Sequence, residues 1–176
     1  MKSADPVPHR VATANPPARD ILMLGLGNIL AGDEGVGIHV LNTLEKYPAL
    51  NGVTLIDGGT GGVSLLQPIA NSPIAIVIAA ARDGKPGGAV SVLRPRAIRE
   101  LPAHVCAVES GLQDLFAAAA LLGPYPEVHL FTVSVDETPR VSMALSAPVA
   151  AAVEEVARLA ETFAMRLLAL NKDIPE

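Results

Sequence analysis

Two adjacent acids, Asp33 and Glu34, follow a glycine-rich segment at residues 25–32 and precede an apolar segment with helical periodicity. The apolar run before the glycines, residues 21–24, is typical of a strand covered on both faces. Strand-to-helix corners with accessible glycine backbone are where α/β proteins bind ligands and place reacting groups. The same residues also have a structural interpretation, in which Asp33 caps the helix and Glu34 lies solvated in its first turn, favoured by the helix dipole.

The corner only partly resembles a dinucleotide-binding site. Gly25 and Gly27 follow a strand, and Asp57 ends the next strand at about the position of a ribose-binding acid. However, Leu30 stands where the third glycine of that fingerprint belongs. The two acids would also place negative charge at the helix N-terminus that should bind the pyrophosphate. The pattern therefore disfavours dinucleotide binding.

A second candidate segment, Asp57-Gly58-Gly59-Thr60, directly follows the next predicted strand. Its glycines leave backbone N–H groups accessible to a bound peptide, and the carboxylate of Asp57 could accept hydrogen bonds or help to hold a metal ion. Alternatively, Asp57 caps the following helix and the glycines only form the turn. In an open α/β sheet, segments that follow the strands meet at one edge, so we expect residues 27–34, 57–60 and 79–86 to face one cleft.

Together the two segments resemble those of the hydrogenase maturation endopeptidases, proteases that trim the C-terminus of a nickel-iron hydrogenase large subunit. The resemblance covers about residues 20–170, and it rests on Gly25-x-Gly27-Asn28-x-Leu30-x-x-Asp33-Glu34-Gly35-x-Gly37 and on Asp57-Gly58-Gly59-Thr60-x-Gly62 with Leu65-Leu66. It implies that Asp57 is catalytic, beside the scissile peptide. It also implies a substrate-binding surface formed by Gly27, Asn28, Gly58, Gly59 and Thr60.

The resemblance further implies a metal site made of Glu34, an Asp at the end of the third strand and a His in the loop before the next helix. Two carboxylates and an imidazole suit a borderline divalent ion such as nickel or zinc. In this sequence Glu34 is present, but alignment places Ala79 and Val108 at the other two positions. Neither of these side chains can ligate a metal. The expected metal is therefore nickel carried by the substrate, or none, with zinc as a further option.

Replacement ligands near those two positions each have an ordinary structural explanation. Asp83 precedes Gly84 in a common turn pair, and Glu109 suits the first turn of a helix. His104 and Cys106 are separated by one residue, which is more often incidental than a ligand pair. The structural explanation is favoured for all four residues, and Asp83 and Glu109 are kept as the candidate substitutes, Glu109 being the harder to dismiss. No general acid and base pair is assigned from the sequence.

Composition limits the classes of protein to which this chain can belong. It has 176 residues, 50% of them hydrophobic, which suffices for one well-buried domain. A net charge of -5 argues against nucleic-acid and anionic-membrane partners, which would require a basic face. Cys106 is the single cysteine, so no intrachain disulfide can form, and this favours a reducing compartment such as the cytoplasm.

Three parts are expected along the chain: a flexible tail at residues 1–19, a single α/β domain at 20–171 and a C-terminal tail at 172–176. The proline-rich start has no apolar region of the signal-peptide type, and the apolar stretch at 69–81 is too short and interrupted to span a membrane.

Apolar runs alternate with amphipathic or alanine-rich segments within the predicted domain. Strands are predicted at 20–26, 53–57, 74–80, 89–93 and 128–134, and helices at 34–46, 62–70, 109–121 and 146–170. This order predicts a three-layer α/β/α fold with a mostly parallel, twisted sheet of about five strands. The turn at residues 86–88 is short, so the strand after it is expected to run antiparallel to the one before.

The expected function is that of a peptidase acting on a nickel-iron hydrogenase large-subunit precursor, with no nucleic-acid or membrane partner. An alternative of a different class is a non-catalytic relative that binds the same precursor as a chaperone. The replacement of two expected ligands by Ala79 and Val108 motivates that alternative.

Overall fold

The computed structural model describes residues 21–48, 51–106, 111–136 and 141–172, with side chains up to residue 170. The strands are β1 (Ile21–Leu26), β2 (Val53–Gly59), β3 (Ile74–Ala81), β4 (Val90–Leu93) and β5 (Glu127–Ser134). The helices are α1 (Val36–Leu44), α2 (Leu66–Ala70), α3 (Leu112–Ala119) and α4 (Ala147–Lys172). Short 3₁₀ turns lie at Gly32–Gly35, Val63–Leu65 and Ile98–Glu100.

The five strands form one mixed sheet in the order β2-β1-β3-β5-β4. The first four of these are parallel, and β4 pairs antiparallel with β5. As predicted, β4 runs opposite to β3, but it lies at the sheet edge beside β5. The turn carries the chain past the end of β5, where Gly88 N donates to Ser134 O at 2.9 Å and Ser134 N donates to Ala89 O at 2.8 Å.

Alternating side chains of the central strands supply two apolar cores, one on each face of the sheet. One core contains Ile21, Met23, Ile76 and Ile78 together with residues of α1 and α4. The other contains Leu22, Leu24, Ala75 and Val77 together with residues of α2 and α3. Because β1 and β3 are buried on both faces, their sequences are continuous apolar runs. The predicted three-layer α/β/α architecture is confirmed.

The observed elements lie close to their predicted bounds. The helix predicted from residue 109 begins at Leu112, and residues 109 and 110 lie outside the described part of the chain. The predicted strand start at residue 20 and both predicted tails, except Lys172, also lie outside it. Among the helices that the structure describes, none is long and apolar enough to cross a bilayer.

Candidate active site

An open cleft lies at the carboxyl edge of the sheet, where β1, β3 and β5 end. Its volume is about 200 Å³, which is below the range of about 300–1,000 Å³ typical of small-molecule pockets. The cleft therefore suits part of an extended peptide better than a whole cofactor. The lining residues come from the segment after β1, from the ends of β3 and β5 and from the segment before α4: Ala31, Gly32, Asp33, Glu34, Arg82, Val135, Asp136, Ser142, Ala144, Leu145 and Ser146.

Gly27 joins the two glycine-rich segments that the sequence singled out. Its N–H donates to the carbonyl oxygen of Gly59 at 2.7 Å. Its φ is 147°, and a Cβ at this position would lie 2.0 Å from the carbonyl oxygen of Glu34. Only glycine allows this close approach of three backbone segments.

Asp33 does not cap α1, contrary to the structural interpretation of the sequence. A 3₁₀ turn at Gly32–Gly35 precedes the helix, so Gly35 occupies the N-cap position and no side chain caps it. Asp33 lies inside this turn, and its Oδ1 accepts a hydrogen bond from the backbone N–H of Ser146 at 2.6 Å. This bond fixes the start of α4 against the corner after β1 and so shapes the cleft.

Glu34 forms an ion pair with Arg82, which follows β3 directly. The side chains of Glu34 and Arg82 are 20% and 27% exposed. The backbone of Arg82 is also held in place, because its N–H donates a hydrogen bond to His104 O at 2.9 Å. Its Nε is buried and has no hydrogen-bond partner among the described residues. The guanidinium is therefore a cation in the cleft wall that is held by its ion pair with Glu34.

Sequence reasoning missed Arg82 as a site residue. The available signal was its position, since it is the first charged residue after the buried run of β3 and shares the carboxyl edge of the sheet with Glu34. The predicted solvation of Glu34 is only partly correct, because the carboxylate is mostly covered and paired.

Asp57 lies exposed at the end of β2 and does not cap a helix. Its Oδ1 accepts a hydrogen bond from Gly59 N at 2.9 Å, which orients the carboxylate within its own turn. The following 3₁₀ turn has Gly62 at its N-cap, without a side-chain cap. Asp57 is not among the residues that line the cleft. Its turn adjoins the cleft wall through the Gly59–Gly27 hydrogen bond.

The remaining predicted substrate-binding residues lie in the loop after β1 and at the end of β2. Asn28 Oδ1 accepts a hydrogen bond from Leu30 N at 2.9 Å, so this amide shapes its own loop. Gly58 packs against the core, because a Cβ there would lie 2.6 Å from Leu26 Cδ2. Thr60 is exposed beside Asp57. Contact of these residues with a substrate stays a prediction.

The residues that the structure describes do not fit a resident metal ion. Ala79 is completely buried in the apolar core on the α2 and α3 face, where no ligand could be supplied without placing a charge in that core. Val108 and the candidate substitute Glu109 lie outside the described residues. Within the described ranges, no three His, Cys, Asp or Glu side chains converge to hold a metal. Glu34, the remaining expected ligand, is already neutralised by Arg82.

We therefore expect the protein to bind neither nickel nor zinc stoichiometrically. Titration of each ion into the protein, followed by calorimetry, should give no one-to-one isotherm, and Glu34→Ala should behave as the wild type does. Tight one-to-one binding that Glu34→Ala abolishes would contradict this expectation.

Asp83, the other candidate substitute, is engaged by its own turn. Its Oδ2 lies 3.0 Å from Lys85 Nζ, and its Oδ1 accepts from Lys85 N at 3.3 Å. Burial acts to raise the pKa of Asp83, but interactions with Ser134 and Lys85 outweigh it and lower the pKa to about 2.

This lowered pKa predicts an acid-dependent loss of stability. Because the folded-state pKa of Asp83 lies below its ordinary value of 3.8, its contribution is complete above about pH 4 and disappears as the pH falls toward 2. We expect Asp83→Asn to lower the melting temperature at pH 7 and to differ much less from the wild type near pH 2. A gap that stays constant between these pH values would show that the carboxylate contributes nothing through its charge.

The other candidate ligands have structural surroundings. The carbonyl oxygen of His104 accepts from Arg82 N, and Cys106 Sγ lies 3.7 Å from the same oxygen. His129 is buried in β5, with its ring against Phe163 and Nε2 2.9 Å from Glu127 Oε1. Burial lowers the pKa of His129 despite the nearby carboxylate of Glu127. These contacts make His129 a structural residue.

Comparison with known proteins agrees with the sequence resemblance. Residues 38–162 match the family model described as HycI, hydrogenase maturation protease. The hydrogenase expression/formation protein HoxM of Azotobacter vinelandii is 36% identical over 154 residues, which cover 83% of this chain and 72% of that protein. The hydrogenase 2 maturation protease of Escherichia coli is 31% identical over 137 residues, covering 76% and 84% of the two chains.

The fold is also that of solved maturation endopeptidases. The hydrogenase maturating endopeptidase HybD from E. coli superimposes with a TM-score of 0.68 at 28% identity, covering 80% of this chain and 89% of its own. The [NiFe] hydrogenase maturation protease HybD from Thermococcus kodakarensis gives a TM-score of 0.68 at 24% identity, with 82% and 99% covered.

Proposed function

We propose, because this chain belongs to the hydrogenase maturation protease family, that it removes the C-terminal extension of a nickel-iron hydrogenase large-subunit precursor after nickel insertion. The observation that carries this proposal is the junction at Gly27. There the two glycine-rich segments meet beside a cleft that is open at the carboxyl edge of the sheet. An extended peptide can lie against the exposed residues that flank this junction, such as Ile29 and Thr60.

In the proposed complex, the scissile peptide lies over Gly27 and Gly59, and the chain on one side of it enters the cleft. Asp57 then stands at the far side of the junction from Arg82. The exposed carboxylate is held in position by Gly59 N–H, and this arrangement suits a base that receives a proton from an attacking water. The water oxygen bonds to the carbonyl carbon, the C–N bond breaks, and the leaving nitrogen receives the proton.

In the proposed hydrolysis, nickel is present only as cargo of the substrate. The chain supplies a partly buried Glu34–Arg82 ion pair where a resident metal would require further ligands. The guanidinium of Arg82 lines the cleft and is partly exposed there, which supports binding of a peptide carbonyl oxygen. No step of the proposed hydrolysis uses a metal held by this chain.

Asp57→Asn tests the assignment of the base. The change keeps the size of the side chain and one oxygen for Gly59 N–H, so the fold should be retained, while cleavage of the nickel-loaded precursor should slow by about 100-fold or more. Glu45→Gln is the matched control, because Glu45 is an exposed acid at the C-terminal end of α1, whereas the cleft lies near the start of that helix. Gel electrophoresis of the precursor over time measures both. Equal rates in Asp57→Asn and the control would remove Asp57 from the mechanism.

A further inference from the structure

Four large apolar side chains are exposed beside the cleft. Ile29 and Leu30, in the loop after β1, are 40% and 59% exposed. Val141 and Met143, before α4, are 102% and 65% exposed. We call these four residues the apolar rim. Single exposed apolar residues are ordinary on protein surfaces, but several beside one cleft are typical of a binding surface.

Backbone hydrogen bonds hold the two segments of the rim together. Ser142 N donates to Leu30 O at 3.1 Å, and Gly32 N donates to Ser142 O at 2.6 Å, with Ala31 and Ser142 in a parallel bridge. Ser142 also bonds to Ala144 through its hydroxyl. The rim residues thus lie within one residue of this paired structure, and the pairing fixes their backbone positions.

The rim is continuous with the cleft. Ala31 and Gly32 line the cleft directly after Leu30, and Ser142 lines it between Val141 and Met143. A peptide bound in the cleft can therefore also contact the rim. The cleft has a volume of about 200 Å³, which is below that of an ordinary small-molecule pocket. A specific protein complex needs a contact surface that extends well beyond such a pocket, about 800 Å² on each partner. Additional contact surface next to the cleft is required.

The charge of the side chains that line the cleft indicates which kind of peptide it can bind. The cleft is lined by three acids, Asp33, Glu34 and Asp136, and by the cation Arg82, so its formal charge is -2 (one positive and three negative side chains). An acidic segment would be repelled. An occupant with apolar side chains for the rim and a neutral or cationic centre for the cleft, such as a metal-loaded peptide region, is complementary to both.

We propose that the apolar rim docks apolar side chains of the large-subunit precursor, from the segment next to the scissile bond. This inference rests on the proposed function and adds the surface that selects the substrate. Burial of the rim supplies binding energy that the small cleft does not provide, and it aligns the peptide over Gly27.

The test compares two double variants in binding to the nickel-loaded precursor of the same organism. Leu30→Ser with Met143→Ser removes two rim side chains without adding charge. Leu121→Ser with Leu122→Ser is the matched control, since these residues are 86% and 55% exposed and follow α3, toward the edge of the sheet where β5 begins. We expect the rim variant to weaken precursor binding by at least about tenfold, measured by biolayer interferometry, with an unchanged melting temperature. The control should bind as the wild type does.

The outcomes separate this inference from the proposed function. If the wild type neither binds nor cleaves the precursor, the proposed function is wrong. If the wild type binds and a stable rim variant binds equally well, the docking inference is overturned. Should the first rim variant lose stability, Ile29→Ser with Val141→Ser provides the same comparison through the other two rim residues. Unchanged binding by that pair would likewise overturn the inference.

Discussion

Gly27→Ala is expected to destabilise the fold by about 2–5 kcal/mol, from a rarely allowed φ together with an overpacked contact. The backbone at this position has φ 147°, and the added Cβ would lie 2.0 Å from Glu34 O. That oxygen belongs to the backbone of the turn before α1, so it cannot move without shifting the turn. Urea denaturation followed by circular dichroism measures the change in the free energy of unfolding.

Gly59→Ala is the matched control for this prediction. Gly59 has a φ of 50°, but a Cβ there would meet nothing within 4 Å. We therefore expect a cost of only about 1 kcal/mol, from the left-handed backbone conformation alone. Equal destabilisation by the two variants would show that the close approach at Gly27 is not what requires glycine there.

Arg82→Ala is expected to abolish precursor processing and to cost about 1–3 kcal/mol in stability, because it leaves the mostly covered carboxylate of Glu34 without its partner. Arg82→Lys retains the charge but loses the planar guanidinium, and we expect it to restore stability better than activity. The melting temperature and the rate of precursor cleavage measure the two effects separately.

A double variant distinguishes the structural role of the ion pair from its role in the site. Glu34→Gln with Arg82→Met removes both charges, so most of the lost stability should return while processing stays absent. Processing at the wild-type rate in a stable double variant would mean that the pair only supports the fold.

The sequence predicted the elements well because local patterns determine them. Continuous apolar runs marked β1 and β3, and the alanine-rich segments marked α3 and α4. The neighbours of β4 could not be predicted in this way. The short turn at residues 86–88 gave its direction, but its position beside β5 depends on a strand almost 40 residues later in the chain.

The candidate site was predicted in its segments but not in its pairings. The sequence singled out Asp33, Glu34 and Asp57, and all three lie at the carboxyl edge of the sheet. Their partners were missed because tertiary packing determines them. Ser146 and Asp33 are 113 residues apart in the sequence, and Arg82 and Glu34 are 48 residues apart. Competition between local and distant partners also explains why Asp33 is not a helix cap.

The most direct test of the proposed peptidase activity is cleavage of nickel-loaded precursor by protein that has been stripped of metal. The protein is treated with a chelator, freed of it by gel filtration and then incubated with the precursor, whose intact mass is recorded by mass spectrometry. We predict one discrete loss of mass from the C-terminus, at the same rate with and without prior chelation. Precursor that binds but keeps its full mass would contradict the proposed peptidase activity. That result would instead indicate that this protein is a non-catalytic partner of the precursor.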